Sequence, residues 1–158
     1  IDMQLQATYM DTYQFQLAAD GPIQEAVGAQ NNSYGAVPTI PEIRANLRLN
    51  WSLGNHTVSA TTRYMSEVSF DANEFSFQAF FPGAQWGGPT DVLRAWTQLD
   101  MFYSYRGYEA LGGEMSFSVG ARNLTDRMPQ KTGMIAGVAA ETQDVLGRVV
   151  YARVNFKL

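Results

Sequence analysis

Two groups of residues in this chain have side chains suited to binding a solute. The first is a set of aromatic residues in a stretch between predicted strands, where rings can stack on sugar rings or on chelates; it consists of Phe75, Phe77, Phe80, Phe81 and Trp86, followed by two glycines. The second combines two cations, a carboxylate and an indole toward one end of two predicted strands: Arg63, Glu67, Arg94 and Trp96. These are candidate ligand contacts. The alternatives are a loop that packs on itself and structural ion pairs.

The residues that catalysis or metal binding would require are scarce. His56 is the only histidine and there is no cysteine, so the usual sets of metal ligands are missing from the sequence. A single histidine without a spaced nucleophile gives no hydrolytic triad, and there is no glycine-rich phosphate loop. We therefore predict a protein that is not an enzyme and that has no catalytic residues, no metal and no cofactor.

Apolar and polar side chains alternate over long stretches, which is the period of a β-strand. In the first segment Ile1, Met3, Leu5, Ala7 and Tyr9 alternate with polar residues. The pattern returns five more times. It predicts strands over about 1–19, 41–52, 56–70, 92–106, 113–125 and 145–158.

Strand length and charge placement indicate a membrane. The alternating runs span about 11 to 17 residues, whereas soluble strands average about 5–6 and a tilted strand needs about 9–11 to cross a bilayer. Nearly all charged residues of the strands fall on the polar faces, and only Asp11 and Arg148, near strand ends, fall on the apolar ones. No stretch is long and apolar enough for a membrane-spanning helix.

The connections alternate between short and long. Residues 52–55 and 107–113 form short turns, while 20–41, 71–91 and 126–144 form long loops. Short periplasmic turns and long extracellular loops are typical of outer-membrane barrels. The net charge of −4 argues against nucleic acid as a partner. The sequence starts at Ile1 without a signal segment, so a mature or truncated product is expected.

Two segments near the C-terminus resemble a known family. Residues 119–129, VGARNLTDRMP, resemble the penultimate strand of TonB-dependent outer-membrane receptors, and residues 146–158, LGRVVYARVNFKL, resemble their last strand. Residues 40–51 and 97–105 are also similar to that barrel. The resemblance covers about residues 40–158, and residues 1–39 fit only by pattern.

The resemblance implies an all-β fold, an antiparallel transmembrane β-barrel, of which this chain holds the six C-terminal strands of a 22-stranded barrel without its plug domain. It implies a receptor in the outer membrane of a Gram-negative bacterium that takes up a scarce nutrient (iron–siderophore, cobalamin or carbohydrate). Implied partners are outer-membrane lipid and lipopolysaccharide, the barrel-assembly machinery through the last strand, a small-molecule ligand, and TonB through the plug. Six strands are fewer than the eight of the smallest single-chain barrels, so a fragment is expected.

Two other interpretations stay open. One is a soluble antiparallel barrel or sandwich acting as a binding module, against which the strand lengths and the apolar faces argue. The other is a different outer-membrane barrel, a porin or a barrel enzyme.

Overall fold

A computed structural model describes residues 1–16, 19–21, 23–29, 38–69, 92–131, 138 and 142–157, and every regular element in those ranges is a β-strand. The strands are β1 (Asp2–Tyr9), β2 (Gln14–Gln16), β3 (Ile23–Glu25), β4 (Ile43–Leu53), β5 (His56–Met65), β6 (Val68–Ser69), β7 (Val92–Leu93), β8 (Trp96–Ala110), β9 (Gly113–Arg122) and β10 (Val149–Lys157). The all-β prediction is confirmed. No helix within these ranges has the length and hydropathy to cross a membrane.

The six long strands form one antiparallel sheet in the order β1-β4-β5-β8-β9-β10. Each long strand pairs with the next long strand along the chain, so the sheet is an up-and-down meander, and the predicted antiparallel sheet is confirmed. The turn between β8 and β9 is tighter than predicted. Only Leu111 and Gly112 separate the paired residues Ala110 and Gly113, and both have positive φ, 53° and 78°, as the favoured two-residue hairpin turn requires.

The first strand is shorter than the sequence pattern predicted. β1 ends at Tyr9, and β2 leaves the main sheet to pair with β3. The side chain of Glu25 holds this small hairpin, because its carboxylate accepts hydrogen bonds from the backbone N–H of Tyr13 (2.8 Å) and of Val27 (3.0 Å). The alternation over 14–16 therefore belongs to a second sheet.

The strands predicted over 56–70 and 92–106 are also interrupted. β5 and β8 pair as far as Met65 and Trp96. After two unpaired residues on each strand, pairing resumes at Val68 and Leu93, in a second two-stranded sheet of β6 and β7. The intervening Ser66 instead bonds to β4, through its backbone N–H to the Ile43 carbonyl and through its hydroxyl from the Ile43 N–H.

The two faces of the six-stranded sheet differ in chemistry. One row of paired residues crosses all six strands and is entirely apolar, which defines the apolar face; it consists of Met3, Leu49, Ala60, Met101, Ala121 and Val150. The side chains of the next row on either side point to the opposite side of the sheet, which we call the polar face; Asn46, Arg63 and Gln98 lie on it. The apolar face holds large exposed side chains, with Leu5 67% and Val150 65% exposed. None of the described strands packs across it.

Buried apolar side chains gather instead at one end of the sheet. Met65, Val68, Leu93 and Trp96 form what we call the Trp96 core. β1 and β10 lie at the two edges, and every described residue of both strands is exposed. The two edge strands do not pair with each other, so the sheet is open over the described residues.

Candidate functional site

The segment that follows β9, residues 123–131, folds back over the end of the sheet next to the Trp96 core. Asn123 anchors it and is completely buried. Its side-chain amide donates to the carbonyl of Arg127 and its side-chain oxygen accepts from the N–H of Arg127, both at 2.9 Å. Asn123 has φ 49°, a left-handed conformation that asparagine tolerates better than most residues. The asparagine therefore closes a tight turn and satisfies both backbone groups of Arg127.

A polar network fastens this turn to the sheet. We call it the Asp100 cluster: Arg63, Gln98, Asp100, Arg122, Asn123 and Asp144. Asp100 lies at its centre, paired with Arg63 and accepting the backbone N–H of Asn123 at 2.9 Å. Its other contact is the Gln98 amide at 3.3 Å.

Asp144 brings a second stretch of the chain to the same place. Its carboxylate lies 3.3 Å from the guanidinium of Arg122 and accepts from the Gln98 amide and, at 3.0 Å, from the backbone N–H of Leu146. These bonds, the one from Leu146 above all, lower the pKa of Asp144 below its ordinary value of 3.8. The carboxylate is thus ionised at neutral pH and ties residues 142–146 to β8 and β9.

Arg127 connects the turn with the Trp96 core. Its guanidinium lies 4.9 Å from the centre of the Trp96 ring and donates to the Ala95 carbonyl at 2.7 Å. A cation over an indole face is attractive. The arrangement leaves Trp96 only 5% exposed.

The structure brings two of the predicted ligand contacts together. Arg63 and Trp96 both lie on the polar face, Arg63 in the Asp100 cluster and Trp96 below Arg127. Glu67 and Arg94 are exposed at the interruptions before β6 and after β7. The aromatic residues Phe77, Phe80, Phe81 and Trp86 lie outside the described residues.

The residues that organise this end of the sheet are not among the predicted ligand contacts. They are Gln98, Asp100, Asn123, Arg127 and Asp144. The signal for them in the sequence is NLTDR over 123–127, which is both part of the family resemblance and a structural unit. Asp144 is not visible in any local pattern, because its partners lie on β8 and β9.

The arrangement can hold a loop and present cations, but it offers no catalytic constellation. Among the described residues no three potential metal ligands come together. The ring nitrogen Nδ1 of His56 lies 2.9 Å from the hydroxyl of Tyr103, on the apolar face at the opposite end of the sheet.

Comparison of the chain with protein-family models, with curated protein sequences and with solved structures finds no match. The family resemblance therefore depends on the sequence alone, on the two C-terminal motifs and the similar residues 40–51 and 97–105.

Proposed function

We propose that the six-stranded sheet forms part of the wall of an outer-membrane β-barrel, that of a TonB-dependent receptor for a scarce nutrient. The observation that carries the proposal is the apolar face. A row of six apolar residues crosses the whole sheet, and no described strand covers it. Soluble proteins bury such a face against a second layer. In a bilayer, hydrocarbon takes the place of that layer.

Aromatic side chains at two levels of the apolar face support a membrane position. Toward the turns lie Trp51, Tyr103 and Tyr108, and toward the opposite end lie Tyr9 and Tyr64, all more than one third exposed. Outer-membrane barrels carry aromatic girdles at both interfaces of an apolar band about 25 Å tall. Along β5, the distance from His56 to Tyr64 is about 26 Å at 3.3 Å per residue. For a strand tilted by about 40°, this distance spans about 20 Å along the membrane normal.

The polar face fits a water-filled lumen. It carries Arg48, Arg63, Arg122 and Arg153, with the ion pairs to Asp100 and Asp144 near one end. A cation on the lipid side at mid-bilayer would cost about 2–4 kcal/mol. Cations on the side facing water avoid that cost.

The open edges support a barrel larger than these six strands. β1 and β10 have unpaired edges among the described residues, and unpaired strands cannot remain exposed to hydrocarbon. We propose that further strands close the wall. The motifs at 119–129 and 146–158 favour a receptor with a plug and with TonB as its energy source. On that proposal the partners are outer-membrane lipid and lipopolysaccharide, the barrel-assembly machinery and a small-molecule ligand.

Membrane fractionation tests the barrel. The polypeptide should sediment with outer membranes, resist extraction by alkaline carbonate and need detergent to stay soluble. A folded polypeptide that remains soluble without detergent would contradict the proposal and would favour the soluble binding module instead.

The coding DNA upstream of Ile1 tests the receptor separately. A reading frame that encodes a plug domain and a signal peptide is the expected result. A start codon immediately before Ile1 would contradict the proposal of a TonB-dependent receptor. The proposal of an outer-membrane barrel would then depend on the fractionation.

A further inference from the structure

A groove of about 360 Å³ lies on the polar face over β8, β9 and β10, away from the Asp100 cluster and toward the β8–β9 turn. We call it the Tyr151 groove. Its lining includes three aromatic residues, two arginines and three serines; the residues used below are Phe102, Ser104, Ser118, Arg106, Tyr151 and Arg153.

The strand register arranges these groups in two adjacent rows. Phe102, Gly120 and Tyr151 pair across β8, β9 and β10, and the next row of the same face contains Ser104, Ser118 and Arg153. Successive residues on one face of a strand are about 6.6 Å apart. An aromatic row therefore stands beside a row of hydrogen-bond donors, at about the distance that half a ring, an attached carboxylate and one hydrogen bond span together.

Gly120 allows the end of the Tyr151 ring to lie close to the backbone of β9. A Cβ atom at position 120 would collide with the ring atom Cζ, so any side chain there would displace the tyrosine. Tyr151 nevertheless remains 45% exposed. The ring thus lies against the glycine and keeps nearly half of its surface open for stacking.

The groove also favours negative charge. Arg106 and Arg153 are exposed, and among the described residues neither guanidinium group has a hydrogen bond or an ion pair; Arg106 bonds only through its backbone N–H, to the carbonyl of Asn55. No carboxylate lines the groove among the described residues. Guanidinium groups without a partner bind carboxylates in a planar, two-bond geometry.

We infer that the Tyr151 groove binds a small aromatic carboxylate, with its ring stacked on Tyr151 and its carboxylate on Arg153 and Arg106. The inference rests on the proposed function only for the route by which a solute reaches the polar face. Binding itself requires no membrane, so its outcome and that of the fractionation are independent.

The test uses the native polypeptide that carries this chain, purified in detergent, and fluorine NMR titration with 4-fluorobenzoate. The expected affinity is in the millimolar range, since the site is open and the ligand small. The uncharged 4-fluorobenzamide should bind at least about fivefold more weakly, because it lacks the charge that strengthens bonds to arginine.

Single substitutions locate the site. Arg153→Gln and Arg106→Gln should each weaken 4-fluorobenzoate about fivefold, less than for a buried charge pair because both groups are exposed. Tyr151→Leu should weaken it about threefold and Tyr151→Phe should leave it unchanged, since only the ring is used. Arg48→Gln is the matched control, because Arg48 is an exposed arginine of the same face outside the groove.

Three results would overturn the inference. They are no binding of 4-fluorobenzoate, equal binding of the acid and the amide, and an equal loss in Arg48→Gln and Arg153→Gln. Tyr151→Leu with full affinity would overturn the stacking and, with it, the aromatic class of ligand.

Discussion

The apolar face and the Trp96 core contain the same kinds of side chain in opposite surroundings. Leu5 and Val150 are mostly exposed, whereas Leu93 and Val68 are 0% and 1% exposed. The core is small and lies at one end, under the segment that Asn123 anchors. The sheet itself is held by its hydrogen-bonded ladder, and no described residue forms a second layer on its apolar face. Over the described residues, packing thus stabilises one end of the sheet, whereas the apolar face depends on what surrounds it.

Shortening a side chain in each region should give the largest contrast. Leu93→Ala removes buried atoms and leaves a cavity, with an expected loss of about 2–5 kcal/mol in the free energy of unfolding. Leu5→Ala, the matched control on the apolar face, should change the unfolding free energy in detergent by less than about 1 kcal/mol. Urea denaturation in detergent micelles measures both. Equal losses would mean that the apolar face is covered by protein.

An arginine introduced on β4 should destabilise the protein much more on the apolar face of the sheet than on the polar face. Leu47 lies on the apolar face and its neighbour Asn46 lies on the polar one, opposite Arg63. Leu47→Arg should destabilise the folded protein in lipid vesicles by about 2–4 kcal/mol, since it places a cation in hydrocarbon. Asn46→Arg should cost much less. If both substitutions are equally tolerated in vesicles, the apolar face does not meet lipid.

Removing the asparagine anchor should release the segment over the Trp96 core. Asn123→Ala leaves the N–H and the carbonyl of Arg127 without their partners, at a cost of about 1–3 kcal/mol. Asn123→Gly loses the same bonds but tolerates the positive φ, so the difference between the two variants measures backbone strain. Amide hydrogen exchange at Arg127 should accelerate in both variants. Unchanged exchange would show that other contacts hold the turn.

Acidification should change the stability of the folded protein least among these perturbations. The pKa of Asp144 is lowered in the folded state, so its contribution to stability is complete above about pH 4 and is lost as the pH falls through the folded pKa. The protection of the Leu146 amide, which donates to this carboxylate, should therefore fall below that range when exchange is compared with the intrinsic rate at each pH. In Asp144→Asn this protection should be low already at pH 7 and should not depend on this titration.

The sequence predicted the repetitive part of the structure well and the irregular part poorly. Alternation sets which side of a strand each residue faces, so the six strands and their faces follow from it directly. It cannot tell which strand a segment pairs with. For that reason residues 14–16 were assigned to the first strand although Glu25 draws them into a separate hairpin.

The same contrast between regular and irregular parts holds at this end of the sheet. Arg63 and Trp96 lie on strands, so the alternation fixes the face on which each of them lies. Asn123 and Asp144 act through contacts with distant residues, among them Asp100 and Gln98. Such contacts depend on how the loops fold back onto the sheet, and the local alternation of apolar and polar residues does not predict this.

In the proposed function, the apolar face of the sheet contacts lipid hydrocarbon and the polar face contacts water. The chain contains no cysteine, so single cysteines at the six consecutive positions 45–50 of β4 can each be probed in membranes with a water-soluble maleimide. Positions 46, 48 and 50 should react with the maleimide, and positions 45, 47 and 49 should resist it. Equal reactivity at all six positions, or the reverse alternation, would contradict the account.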